Sequence, residues 1–105
     1  MTAYKVKITP DAKNDLKRYR DYLLYNKKSP QAARSIVRDF HETAAKLKNL
    51  AGSLAEPESR RLKERCLKRI NFVKHDYFLL YKIEGKNVFV INMFHSLEDY
   101  ENKLK

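Results

Sequence analysis

The sequence is poor in the residues that build covalent and metal-held frameworks. It has one cysteine, Cys66, so no intramolecular disulfide and no cysteine-based zinc site can form. Its two glycines, Gly52 and Gly85, exclude a glycine-rich phosphate loop. Its three histidines, His41, His75 and His95, show neither H-x-x-x-H nor H-E-x-x-H spacing. No metal and no cofactor is therefore expected, and no Ser-His-Asp or Cys-His arrangement emerges from the sequence. No apolar run approaches the roughly 20 residues a membrane span needs, and "MTAYKVKITP" has no apolar signal core. A cytoplasmic protein with no membrane partner is expected. There is no internal repeat.

Acidic residues are also scarce. Thirteen Asp and Glu face 23 Lys and Arg, for a net charge of +10 over 105 residues. The length suits a single domain over residues 1–105. The charge favours an acidic partner, whether nucleic acid, an anionic membrane surface or an acidic protein, and does not choose among them.

The elements follow from periodicity. In "YKVKIT", Tyr4, Val6 and Ile8 alternate with lysines, the pattern of a half-buried strand. Thr9-Pro10-Asp11 is a helix start, with Ala12, Leu16, Tyr19 and Leu23 on one face. Ser29-Pro30 starts a second helix, with Ala33, Ile36, Val37, Phe40, Ala44 and Leu47 inward and an end near Ala51-Gly52. The short "NKKSP" link makes the pair an antiparallel hairpin. After a loop over "GSLAEPES", three strands are expected at Leu67–Lys74, Tyr77–Ile83 and Val88–Phe94. Turns at His75-Asp76 and around Gly85 separate them. Ser96 would cap a terminal helix carrying Leu97, Tyr100 and Leu104. The order β-α-α-β-β-β-α indicates an α+β fold, a helical hairpin on one face of a mostly antiparallel four-stranded sheet.

The densest charge lies in "RRLKERCLKRINFVKHD", Arg60 to Asp76. Seven cations there face two acids, a net +5. Arg60, Arg61, Lys63, Arg65, Lys68 and Arg69 form a candidate surface for nucleic acid or an acidic protein, since Arg grips phosphate or carboxylate with paired hydrogen bonds. A single lysine such as Lys63 or Lys68 is read as solvation only. Strand alternation sets Arg69 and Asn71 opposite Ile70 and Phe72, so Arg69 should leave the uncovered face. His41 reads as a surface or boundary residue and His75 as a turn residue held by local hydrogen bonds. His95 could move protons near neutral pH or fix the start of the terminal helix, and both readings stand. Cys66 reads as packing. The Tyr19, Tyr22, Tyr25 ladder reads as helix packing, with Tyr22 or Tyr25 at the surface.

Several stretches together resemble the RelE/ParE superfamily of type II toxins over nearly the whole chain. They are "MTAYKVKITPDAKNDLKRYRDYL", "AAKLKNL", the core "RRLKERCLKRINFVKHDYFLLYKIEGKNVFVINMFH" with Tyr77 and Tyr81 in its Tyr-x-x-x-Tyr strand, and the tail "HSLEDY" with His95, Asp99 and Tyr100. The resemblance implies a growth-arresting toxin neutralised by an acidic antitoxin, in a hetero-oligomer, with the helical hairpin as a candidate antitoxin groove. It implies one of two targets. A RelE-type member would cut mRNA on the ribosome without a metal, with Arg69 and Lys74 on the phosphate and His95 as acid or base. A ParE-type member would poison DNA gyrase without being an enzyme. The long hairpin and the His95–Tyr100 tail favour the ParE type. A different class stays open: a non-catalytic basic module that binds an acidic protein or nucleic acid.

Overall fold

A computed structural model of the protein describes residues 4–50 and 67–96. In chain order these form β1 (Lys5–Ile8), α1 (Pro10–Asp21), a π-helical segment (Tyr22–Asn26), α2 (Pro30–Leu50), β2 (Lys68–Asn71), β3 (Tyr77–Glu84) and β4 (Asn87–His95). The strands make one sheet in the order β1-β4-β3-β2. β1 runs parallel to β4, and the other two pairings are antiparallel. This is the expected α+β arrangement, with mixed pairing confined to one edge.

Local chemistry explains the helix starts. Thr9 is extended and its Oγ1 accepts from Ala12 N at 3.3 Å, with Pro10 in the first turn. Ser29 Oγ accepts from Ala32 N at 3.2 Å. In both, a side-chain oxygen satisfies an amide that the helix leaves unpaired. The end of α1 is less regular. The chain widens there, with Lys27 N donating to Tyr22 O at 3.1 Å and Ser29 N to Leu23 O at 2.9 Å. Lys28 then takes a left-handed φ of 51°, a conformation that favours glycine.

Both helices cover one sheet face. Ala12, Ile36, Phe40, Ala44 and Leu47 pack on Ile70, Phe72, Leu79, Tyr81, Val88, Val90 and Met93. A smaller buried cluster on the opposite face joins Leu67, Phe78, Leu80 and Phe94. A bulge separates the two halves of β4. Leu80 faces Asn92 while Tyr81 faces Val90, so Ile91 is the extra residue. That single insertion reverses the alternation, which is why Val88, Val90 and Met93 all reach the same core. The β3–β4 hairpin closes through Gly85 and Lys86, and Gly85 supplies the positive φ of 62°.

β1 pairs only with the first half of β4, residues Asn87 to Val90. Beyond it, α1 takes over the edge. Thr9 donates to Val90 O from both N (3.0 Å) and Oγ1 (2.7 Å). Asp15 accepts from Met93 N at 3.0 Å and Asn92 Nδ2 at 3.1 Å, and Tyr19 Oη accepts from His95 N at 3.2 Å. Polar groups that an edge strand would leave open are thus paired.

Two expectations need correction. The strand expected over Leu67–Lys74 is shorter, because Asp39 draws the Val73 and Lys74 amides out of the ladder. His75 is held not by its neighbours but by Asp39 of α2. The expected loop at 52–59, the helix end at Ala51-Gly52, Cys66 and the terminal helix beyond Ser96 lie outside the described residues. No helix among the described residues is long and apolar enough to cross a membrane.

Candidate partner-binding site

β3 and β4 bring Tyr77 opposite His95, and the two rings meet edge to face with centroids 4.9 Å apart. α1 adds Tyr19, whose ring lies 5.0 Å from that of Tyr77. Beside this stack opens a cleft of about 570 Å³, lined by Arg18, Tyr19, Tyr22, Leu23, Lys27, Tyr77 and His95. Its size falls within the range of ligand pockets, about 300–1,000 Å³. Two cations sit on its aromatic walls, Arg18 5.0 Å from the Tyr19 centroid and Lys27 5.8 Å from that of Tyr22. Tyr22 is 46% exposed and Tyr25 68%. Such a wall can hold an apolar group and pair an anion beside it.

Arg69 lies elsewhere. Its guanidinium stacks 3.8 Å from the centroid of Phe78, and its Nε donates to Asn71 Oδ1 at 2.8 Å. Phe78 belongs to the buried cluster opposite the helices. The His95 ring packs on Tyr77, whose own ring meets Tyr19 of α1 on the helix side. Arg69 and His95 therefore occupy opposite faces of the sheet. Lys74 sits in the bend before β3, with its amide bound to Asp39. Lys68 lies half-buried on β2 beside Arg69. Arg60, Arg61, Lys63, Arg65, Asp99 and Tyr100 lie outside the described residues.

Tyr81, the second tyrosine of the Tyr-x-x-x-Tyr strand, is fully buried. Burial, and secondarily Tyr4, push its pKa up to about 12, so it stays neutral and serves packing.

Asp39 makes the densest polar cluster among the described residues. It is 1% exposed, yet its carboxylate accepts from Val73 N (3.2 Å), Lys74 N (2.9 Å), His75 Nδ1 (2.7 Å) and Thr43 Oγ1 (3.4 Å). Burial alone would raise its pKa. The hydrogen bonds from His75, Lys74 and Val73 outweigh that and lower it. With Nδ1–H committed to Asp39, His75 Nε2 lies 3.2 Å from Ser35 Oγ. The order Ser-His-Asp matches a hydrolase triad, but Ser35 is mid-helix and its neighbouring amides are spent within α2. The cluster is a clamp that ties the β2–β3 connection to α2. Among the described residues, no three His, Cys, Asp or Glu gather as a metal site.

Residues 6–100 match the family described as ParE toxin of type II toxin-antitoxin system, parDE. The chain belongs to the ParE toxin family. It is accordingly a growth-arresting toxin of a type II toxin–antitoxin system. Solved structures of two such systems share the ParE-type fold seen here. The chromosomal ParDE system from P. aeruginosa aligns with a TM-score of 0.72 and 19% identity, over 89% of this chain and 96% of that chain. The toxin–antitoxin complex RelBE2 from Mycobacterium tuberculosis aligns with a TM-score of 0.61 and 19% identity, over 93% and 97%. No curated protein matches.

Sequence reasoning found His95 and Tyr77 but missed the cleft's other wall. The signal was the Tyr19-Tyr22 spacing, read above as helix packing with Tyr22 or Tyr25 at the surface, and the flanking Arg18 and Lys27, which were not singled out.

Proposed function

We propose that this ParE-family toxin arrests growth by acting on DNA gyrase, without RNA cleavage, and is held in check by an acidic antitoxin in a cytoplasmic hetero-oligomer. One observation carries the choice of target: the Arg69 and His95 side chains stand on opposite faces of the sheet. Metal-free RNA cleavage by the 2′-hydroxyl needs base, acid and phosphate clamp around one phosphate, each within hydrogen-bond reach. A pair divided by a sheet does not meet that demand. Phe78 and Asn71 also hold Arg69 flat against the sheet. The match to ParE over residues 6–100 supports the same side. The antitoxin is supported by the charge of +10 and by the two similar structures, both of toxin–antitoxin systems.

The test is to induce the chain alone in a bacterial host and pulse-label thymidine and methionine together. An early fall in thymidine incorporation is expected. An early fall in methionine incorporation, abolished by Arg69→Ala with His95→Ala, would restore the nuclease. No fall in either would leave a binding module.

A further inference from the structure

We propose that the sheet face turned away from the helices carries, at its β3–β4 hairpin end, a contact surface for the phosphate backbone of duplex DNA, the substrate that gyrase holds. The role of this surface rests on the gyrase reading, while its existence is tested without the enzyme.

The register builds the surface. Val6, Ile8, Ile83 and Val88 pack toward the helices, so their strand neighbours Lys5, Lys7, Lys82 and Phe89 face the other way. Phe89 pairs with Lys7 of β1 and with Lys82 of β3, which sets the three side chains in one row across the sheet. Lys7 Nζ lies 5.9 Å from the centre of the Phe89 ring. In the next row Asn87 stands between Lys5 and Glu84. Lys86 joins from the turn, its carbonyl accepting from Lys5 N at 2.8 Å. Strands lie about 4.8 Å apart and alternate residues about 6.6 Å along, so Lys5, Lys7 and Lys82 span roughly 7 by 10 Å. Charges on one DNA strand follow at about 3.4 Å of rise, so Lys5 and Lys7 are about two phosphates apart. Lys5, Lys7 and Lys86 are exposed and form no ion pair among the described residues. Glu84 pairs with Lys82 at 3.0 Å, but the two side chains are 54% and 41% exposed, and such a pair holds weakly.

Two simpler uses fit less well. Lysines on an edge strand deter pairing with other chains, which accounts for Lys5 and Lys7 on β1. It does not account for Lys82, because β3 lies inside the sheet. An acidic protein would need an apolar centre to its interface, and this surface offers one half-buried ring, Phe89, already beside Lys7. All four cations are lysines, point charges on flexible stems without the fixed fork of arginine. That suits contact with a regular row of phosphates, which carries no sequence information.

The probe is a fluorescent duplex DNA of about 20 base pairs, and binding to the purified toxin is followed by anisotropy from about 50 to 200 mM salt. Lys5→Glu with Lys7→Glu is compared with Lys13→Glu with Lys17→Glu, which removes the same charge from exposed positions of α1. Lys82→Gln with Lys86→Gln is a second, milder pair. Thermal melting establishes that each variant is folded. Wild type should bind, more weakly as salt rises. The β1 pair should weaken binding at least tenfold and flatten the logarithmic salt slope by about 2, at about 0.9 per lost phosphate contact. The Gln pair should weaken it at least threefold, and the α1 pair less than threefold. In a supercoiling assay the β1 pair should require at least tenfold more toxin. No binding by wild type, or equal losses in the β1 and α1 pairs, would overturn the surface. So would unchanged DNA binding with lost antitoxin binding, or tighter binding of a duplex RNA of the same length through the same lysines. Full gyrase inhibition by a β1 pair that has lost DNA binding would overturn its role. Gyrase inhibition by the unaltered chain is read separately: its absence would strike the target, while anisotropy alone decides the surface.

Discussion

Replacing Asp39 with alanine should remove a large part of the protein's stability. The carboxylate accepts from two backbone amides of the β2–β3 connection, from His75 and from Thr43, in a site that is 1% exposed. Hydrogen bonds to a charged acceptor are worth about 1.5–3 kcal/mol each, and each buried donor left without its acceptor costs about 1–3 kcal/mol. A loss of about 3–5 kcal/mol is therefore expected. Domains of this size are stable by roughly 5–15 kcal/mol in total. At about 4–8 °C per kcal/mol, the melting temperature should fall by about 12 °C or more. The pH dependence follows from the direction of the Asp39 shift. Burial alone would raise the pKa, but His75, Lys74 and Val73 lower it below its usual value of 3.8. Folding thus favours the ionised carboxylate. That contribution is complete above the unfolded value, about pH 4, and disappears as pH falls through the lower native value. Urea unfolding of wild type and Asp39→Asn between pH 7 and pH 2 should show two curves that converge in acid. A cost below about 1 kcal/mol for Asp39→Ala at pH 7, or parallel pH curves, would refute the clamp.

Other changes test the sheet edge and the hairpin tip. Thr9→Ala removes the α1 cap and the bond to Val90 O, and should cost about 1–2 kcal/mol in chemical denaturation. Asp15→Ala leaves Met93 N without its acceptor and should cost about 1–3 kcal/mol, with faster hydrogen exchange at the Met93 amide. Lys28→Gly relieves the left-handed backbone and should raise stability by about 0.5–1 kcal/mol, read as a higher melting temperature.

Much of the fold was legible because local signals agreed with the global packing. Thr9-Pro10 and Ser29-Pro30 mark both helix starts, and the stripe from Ala33 to Leu47 names the buried face of α2. Gly85 marks the last hairpin. What was not legible depends on register. Val88, Val90 and Asn92 continue a period of two, so the bulge at Ile91 leaves no mark in the residues themselves. The opposite placement of Arg69 and His95 depends on pairings, Arg69 with Leu80 and His95 with Tyr77, that no single strand encodes. The π-helical ending of α1 is set by backbone hydrogen bonds available to any residue. Asp39 did leave a clue. It lies next to Phe40 and near Ile36 and Thr43 on the inward face of α2, and a carboxylate there requires buried donors.

Action on gyrase and not on RNA is the proposal that a direct experiment can decide. The most direct test adds the purified chain, free of antitoxin, to gyrase with relaxed plasmid and ATP, and in parallel to ribosomes translating a defined mRNA. Inhibited supercoiling is expected in the first reaction and intact message in the second. Unimpaired supercoiling together with message cut on the ribosome would contradict it.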